Sequence, residues 1–460
     1  MKIYSTLSRK KETFKPVKKG CVGIYVCGPT VYDVGHLGHA RSVVSFDIIR
    51  RYFAYKGYKV TFVSNITDVD DKIIKRSALL GISESELAEK VIPEYEKDYG
   101  LLGVIPPDVS PRATQYIPKM VELIEKLIEN GFAYSTDDGV YFDVSKYKAY
   151  GELSHQKLDE LQAGARVAVD EKKKNPADFA LWKKEKQGEP AWDGPTRMRG
   201  RPGWHIECSA MSLDLLGRPF DIHGGGIDLQ FPHHEGERAQ NEAVTGHVCV
   251  KYWLHNGHIR VNSEKMSKSL GNFFTIKEIL AKYNPVVVRY FLLSTHYRMP
   301  IEFSNDLLEQ AKNSLERLHD FMRRLNNFPT DKEGKISISK ILKNVEKKFE
   351  EALDNDFEIA EALAAIFELV KEVNALLDAN KLNSSDVKTT IELMSKFDSV
   401  LAVLKVKDNV NAEVEALIGE RSTARKNKDF KRADEIRQIL LKKGVELEDT
   451  KDGTVWKKML

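Results

Sequence analysis

Between Val22 and Val63 the apolar residues change period twice, and this restricts the architecture of the chain more than any other feature of it. Residues 22–26 form a short apolar run, closed by a Gly-Pro-Thr turn. A helical pattern then begins near His39, with Val43, Phe46, Ile49 and Phe53 on one face, and residues 59–63 make a second strand-like run after Gly57. Strand, turn, helix and strand in that order form a βαβ unit with a right-handed crossover and a parallel sheet. Ligands on such sheets lie outside the carboxyl ends of the strands, so chemistry is expected just after residue 26 and just after residue 63.

The same pattern resumes far downstream, with a strand at residues 220–222, a glycine-rich loop at 224–226, a helix carrying residues 237–244 and a strand near Trp253 and Leu254. Two halves of one nucleotide-binding domain thus flank an insertion. Ahead of and inside that insertion, residues 83–97 read as a helix opened by a Ser83/Glu86 capping box, and residues 118–130 as an amphipathic helix ending at Gly131. Residues 132–134 and 140–142 should pair across a Thr-Asp-Asp-Gly turn. After Pro300 the spacing turns helical over 306–326, 338–353, 359–377 and 385–404, which predicts a four-helix bundle followed by a small terminal module. The expected fold is α/β: a Rossmann-like parallel-sheet domain in two halves (1–103 and 200–300) split by an insertion (104–199), then a helical bundle (301–406) and a small C-terminal domain (407–460).

A chain of 460 residues exceeds what one core organises, and 42% hydrophobic with 30% charged residues excludes wholesale disorder. Residues 1–20 supply no apolar run of the kind a secretory signal or membrane span requires, so a cytoplasmic protein without membrane attachment is expected. The four cysteines, Cys21, Cys27, Cys208 and Cys249, are too sparse for a disulfide framework and suit reduced thiols or metal ligands. The 71 basic and 68 acidic residues nearly cancel, but residues 421–443 form a basic stretch suited either to a phosphate backbone or to a solvated helix face.

Two motifs carry the phosphate chemistry. His36-Leu37-Gly38-His39 stands where the first strand turns into its helix, whose N-terminus offers free N–H groups and a positive dipole, and Gly38 permits close approach to the backbone. Lys265-Met266-Ser267-Lys268-Ser269 offers two ammonium groups to the β and γ phosphates of a nucleotide. In this order, on opposite halves of a divided parallel-sheet domain, they resemble the HIGH and KMSKS signatures of class I aminoacyl-tRNA synthetases.

Cys27, Cys208, His233 and Glu237 come from three segments that should meet at the carboxyl edge of the sheet, and they have the donor types of a tetrahedral zinc site. His234, three residues before Glu237, competes with His233 for that role. The segments Tyr25-Val26-Cys27-Gly28-Pro29-Thr30-Val31-Tyr32-Asp33, Gly203-Trp204-His205-Ile206-Glu207-Cys208-Ser209 and Asp221-Ile222-His223-Gly224-Gly225-Gly226, with Phe231-Pro232-His233-His234-Glu235, resemble cysteinyl-tRNA synthetases, and the likeness runs from end to end. Gly236 departs from it, since many relatives have asparagine there.

The resemblance implies zinc held by Cys27, Cys208, His233 and Glu237, accepting the substrate thiolate as a further ligand. It implies that Gly28 and Thr67 lie near the ammonium and carboxylate of L-cysteine, and that Trp204 closes over it. It also implies that Thr30, His36, His39, Lys265 and Lys268 bind ATP, which arrives with Mg2+, and that the last four are catalytic. The implied reaction is activation of cysteine to its adenylate and transfer to tRNA(Cys) by a monomer with an anticodon-binding C-terminus. The carboxylates Asp68, Asp70 and Asp71 are expected to cap and support rather than ligate. Lys72 and Lys75 lie in a Lys-Ile-Ile-Lys run of the kind linked to cysteine persulfide formation in some relatives. A ligase joining cysteine to an amino sugar shares the catalytic domain but lacks the tRNA module, and a silent tRNA-binding paralogue would not need both phosphate motifs.

Overall fold

The computed structural model describes residues 1–156, 173–266, 273–329, 334, 336–404, 412–442, 445–450 and 453–458. Four parallel strands form the central sheet in the order Val250–Asn256, Phe220–Gly226, Cys21–Val26, Lys59–Ser64. Cys21–Val26 is paired on both sides, so two stretches of sequence far apart share one carboxyl edge. The sheet lies between two cores. Ile24, Ile222 and Leu254 face a cluster that includes Phe46 and Phe53 of the Leu37–Tyr55 helix and continues into the bundle. Tyr25, Val63 and Trp253 face a second cluster shared with the insertion, which explains why these strands read as apolar runs rather than alternating ones.

The glycine-rich segment 224–226, expected as a loop, is the end of the Phe220–Gly226 strand, in register with Leu254, His255 and Asn256. A Cβ on Gly224 would lie 2.2 Å from Phe46 Cε1, so glycine is needed here for the helix to cross closely over the strand. The Leu37–Tyr55 helix begins two residues ahead of His39 because His36 caps it.

The insertion carries an antiparallel sheet ordered Ala133–Ser135, Gly139–Phe142, Phe179–Lys184, Gly200–Pro202. The helices Glu84–Leu101 and Ile117–Glu129 precede it, the first with the reciprocal Ser83/Glu86 cap. An N-terminal hairpin, Lys2–Ser5 with Lys10–Thr13, left no clear pattern in the sequence because only Ile3 and Ser5 of its first strand are fully buried. The bundle consists of Asn305–Asn326, Ser339–Asp354, Ile359–Asp378 and Ser384–Leu401. The last helix stops short of residue 404: Ala402 turns left-handed (φ 53°, ψ 50°), and Asp398 Oδ1 accepts the N–H groups of Val403 and Leu404 at 2.7 and 2.8 Å.

Beyond it lie the helices Ala412–Lys426 and Phe430–Lys442 and a hairpin, Val445–Thr450 with Gly453–Lys458. The basic stretch falls on these helices. Arg432 is paired with Glu420 and Glu435, and Arg421 is buried, so part of its charge is used within the module.

One buried ion pair joins these parts. Arg289, on the Pro285–Leu293 helix, donates to Asp47 Oδ2 at 2.6 Å, to Leu401 O at 2.7 Å and to Leu102 O at 3.0 Å, while Asp47 Oδ1 accepts from Ile105 N at 2.9 Å. Both side chains are 1% exposed. Removing one partner strands the other charge in the interior, so Asp47→Ala should destabilise by about 3–5 kcal/mol. The exposed Lys11–Glu358 pair should contribute only about 0–1 kcal/mol. Urea unfolding midpoints of Asp47→Ala and Lys11→Ala test this, and similar midpoints would refute it.

Candidate active site and metal centre

The carboxyl edge of the sheet opens into a cleft of about 340 Å³, lined by Cys27, Gly28, Thr30, His36, His39, Thr67, Trp204, Cys208, His233 and Lys265. Glu237 lies beneath its floor and is fully buried. Lys268 lies outside the described residues.

At one end stands the start of the Leu37–Tyr55 helix. His36 takes the extended geometry of a cap (φ −119°, ψ 168°), and its Nδ1 accepts from His39 N at 3.4 Å, while His39 Nδ1 accepts from His36 N at 3.3 Å. The rings stack with centroids 3.7 Å apart. Because both Nδ1 atoms accept, each neutral ring carries its proton on Nε2, as assigned from the hydrogen-bond pattern. Two imidazole donors therefore accompany the helix dipole. Glycine at 38 has a concrete reason: a Cβ there would lie 2.8 Å from His36 Cε1 and break the cap. Across the cleft, Lys265 follows the Ile259–Val261 strand and its Nζ lies 4.0 Å from Asp228 Oδ2.

At the other end, Cys27, Cys208, His233 and Glu237 present donor atoms within 4.8 Å of one another. Cys27 Sγ lies 3.6 Å from Cys208 Sγ and 3.4 Å from Glu237 Oε1, and His233 Nε2 lies 3.0 Å from the same carboxylate oxygen. His233 precedes the Glu235–Thr245 helix, at the end of a wide turn, Gln230–His234, in which Phe231 leaves helical geometry. A second set shares two members: Cys27, His223, His234 and Glu237. His234 Nε2 lies 3.3 Å from Cys27 Sγ, and its Nδ1 is 2.8 Å from His255 Nε2. Access separates the sets, because Cys208 and His233 line the cleft and His223 and His234 do not.

The electrostatics fit a cation. Burial pushes the thiols of Cys27 and Cys208 up and lowers His233 to about 3, so the imidazole keeps its lone pair. Burial also raises Glu237, but the nearby His223 and His233 outweigh it and hold its carboxyl below the usual range. Glu237 Oε2 has no hydrogen-bond partner, although His223 Nε2 approaches to 3.1 Å off the hydrogen-bond direction. A cluster of a half-buried and a buried thiol, a buried imidazole and a buried carboxylate with an orphaned oxygen suits a borderline-soft divalent ion.

Above this floor Trp204, 38% exposed, stacks on His233 with centroids 4.5 Å apart. Thr67 is buried and donates to Glu207 Oε2 at 2.7 Å. Gly28 lines the same cleft, and its N–H donates to Asn65 Oδ1 at 2.9 Å.

Comparison with known proteins places the chain in a family. The class I (C) tRNA synthetase catalytic domain matches residues 13–313, a DALR domain matches 348–405, and the cysteinyl-tRNA ligase anticodon-binding domain matches 407–456. The cysteine–tRNA ligase of Carboxydothermus hydrogenoformans is 50% identical over all of both chains, and that of Thermodesulfovibrio yellowstonii 48% identical over 99% of each. The chain belongs to the cysteine–tRNA ligase family.

Solved class I synthetases share the ligase family's fold at low identity. A Mycobacterium tuberculosis methionyl-tRNA synthetase complexed with methionyl-adenylate superposes with a TM-score of 0.59 at 16% identity, covering 83% of this chain and 88% of that one. A Campylobacter jejuni protein described as a putative arginyl-tRNA synthetase gives 0.54 at 13% identity, covering 85% and 92%. No helix among the described residues is long and apolar enough to cross a membrane.

Several residues gain a definite place. Asp70 caps the Asp71–Leu80 helix, accepting from Lys72 N at 2.8 Å, and Asp68 accepts from Thr114 N at 2.9 Å. Asp71 ties this helix to the insertion through Lys183 and Arg201, at 2.6 and 2.5 Å; burial opposes its ionisation, but the two cations hold its carboxyl at about 2. At Gly236 a Cβ would lie 3.1 Å from His205 Cγ, so asparagine there would press on His205, whose Nδ1 is 3.0 Å from His233 Nδ1. His223, His255 and Asn65 were not singled out from sequence. His223 was within reach: it sits in register between Tyr25 and Trp253 on the face toward the insertion.

Backbone contact, rather than chemistry, constrains Gly28 most. A Cβ there would lie 1.6 Å from Asn65 O, whereas on Gly23 of the preceding Cys21–Val26 strand the nearest atom would be Leu216 Cδ2 at 3.5 Å. Gly28→Ala should destabilise by about 1–3 kcal/mol through overpacking, and Gly23→Ala should shift stability by about 0.5 kcal/mol or less. Equal denaturation midpoints for the two variants would contradict this reading.

Proposed function

We propose that this chain activates L-cysteine with Mg-ATP and transfers the cysteinyl group to the 3′ end of tRNA(Cys), acting as a monomer in the cytoplasm. The observation that carries the proposal is a single cleft with a capped helix N-terminus at one end and a buried thiol, imidazole and carboxylate cluster at the other. The anticodon-binding match over residues 407–456 weighs against the amino-sugar ligase, which has no tRNA module.

In the first step a carboxylate oxygen of cysteine attacks the α-phosphorus of ATP, and the bond to pyrophosphate breaks. The Nε2–H groups of His36 and His39 donate to the α-phosphate as charge builds in the pentacoordinate arrangement, with Thr30 beside them. Lys265 and Lys268 neutralise the departing pyrophosphate. In the second step a terminal ribose hydroxyl attacks the carbonyl carbon, and AMP leaves. Positioning and charge stabilisation account for the rate, without a covalent enzyme intermediate.

Gly28 and Thr67 hold the ammonium and carboxylate ends of cysteine, and Trp204 covers it. Cys27, Cys208, His233 and Glu237 would hold zinc, which when bound favours a soft thiolate over a neutral hydroxyl and lowers the thiol pKa from about 8.5. An apolar pocket alone separates such near-isosteres by only about a hundredfold, so the donor set explains how serine is refused without a second hydrolytic site.

Zinc-stripped protein should lose cysteine-dependent exchange of pyrophosphate into ATP by about a hundredfold or more, since even outer partners of metal ligands contribute ten- to hundredfold. Restored zinc should recover it with serine still excluded; undiminished exchange in stripped protein would rule out the metal reading. Lys265→Ala removes a charged contact to the leaving group, and should slow exchange by roughly ten- to hundredfold. Its equilibrium binding of cysteine should be unchanged, and an intact exchange rate in that variant would overturn the role given to Lys265.

A further inference from the structure

We propose that Asn65, which takes no part in the steps above, is a positioning residue that fixes the separation between the two ends of the bound amino acid. The proposal rests on the reading of the cleft as a cysteine site. Asn65 is the first residue beyond the Lys59–Ser64 strand and is 1% exposed. Its Oδ1 accepts the Gly28 N–H at 2.9 Å, and Cys208 Sγ lies 3.6 Å from the same oxygen. Its Nδ2 donates to Thr67 Oγ1 at 3.3 Å.

The orientation of this carboxamide is not arbitrary. The Gly28 N–H can only donate, so it selects the oxygen, and the NH2 group must then face Thr67. The Asn65 backbone closes in as well, since its carbonyl occupies the space a Cβ on residue 28 would need. The segment is pinned further by Thr67 N donating to Pro29 O and Val31 N donating to Thr67 O, each at 3.1 Å.

One side chain therefore touches both residues assigned to the backbone end of cysteine, Gly28 and Thr67, and one assigned to its thiol end, Cys208. A ligand recognised at both ends depends on the distance between the two recognition points. A displacement near 1 Å can cost on the order of a hundredfold in such sites. The phosphate end, built on His36 and His39, makes no contact with Asn65 among the hydrogen bonds of the described residues, which separates its effect from ATP binding.

The test uses the full-length protein, with pyrophosphate exchange followed while cysteine and ATP are varied in turn, and zinc content and thermal unfolding measured alongside. Asn65→Ala should raise the KM for cysteine roughly ten- to hundredfold, with the KM for ATP and the zinc content unchanged. Asn65→Asp keeps the volume and the acceptor for Gly28 but withdraws the donor from Thr67, and should raise the cysteine KM in the same direction. If Asn65→Ala does not fold, Asn65→Asp decides alone. A cysteine KM equal to wild type in the variants, or cysteine and ATP KM values rising together as in a general loosening of the sheet edge, would overturn the proposal. Wild-type protein without cysteine-dependent exchange would instead remove the reading of the cleft, and this inference with it.

Discussion

Cys21–Val26 is hydrogen-bonded in parallel to Lys59–Ser64 on one side and to Phe220–Gly226 on the other, and the site depends on that double pairing. Parallel strands end together, so Cys27 and Gly28, Asn65 and Thr67, and the approach to Asp228 all leave the sheet at one edge. Gly28 meets Asn65 directly there, closer than any other side chain would permit. The segment that follows the insertion then contributes Trp204 and Cys208, and Asp71 ties the end of the insertion to the same edge through Lys183 and Arg201.

The two ends of the cleft solve opposite electrostatic problems. At His36 and His39 the helix terminus supplies positive potential suited to an anion, and the capping bonds of the two imidazoles use their Nδ1 atoms. At Cys27, Cys208, His233 and Glu237 the donors are mutually close and all but Cys27 are buried, and loss of solvent disfavours every charged form among the thiols and the imidazole. Such an arrangement is expensive in an empty interior and favourable around a dication. Shape and charge thus suit an anionic group at one end and a soft donor at the other.

Much of this was legible because the signals are local. The Ser83/Glu86 cap, the helical spacing of the bundle and the apolar runs of the sheet each lie within one element. The four donors at the candidate metal centre were legible by type, and so was the competition of His234 with His233, but the approach of His223 was not, since it arises from strand register. Gly224 was misread as part of a loop because its reason is the Phe46 ring on a distant helix. The early end of the Ser384–Leu401 helix depends on Asp398 reaching beyond it to two backbone groups, which apolar spacing does not encode. Asn65 escaped notice for a related reason: an asparagine in an acidic stretch gives no sign of which backbone it will meet.

The strand that organises the site also sets the timetable of its assembly. Cys21–Val26 leaves the ribosome before its partner Phe220–Gly226, which follows only after the whole insertion. At synthesis rates of about 5–20 residues per second the delay is on the order of ten seconds or more. For that interval one side of a fully apolar strand has open backbone groups, a template to which another nascent chain can add. The segment on which function converges is therefore also the one most in need of protection while the protein is being made.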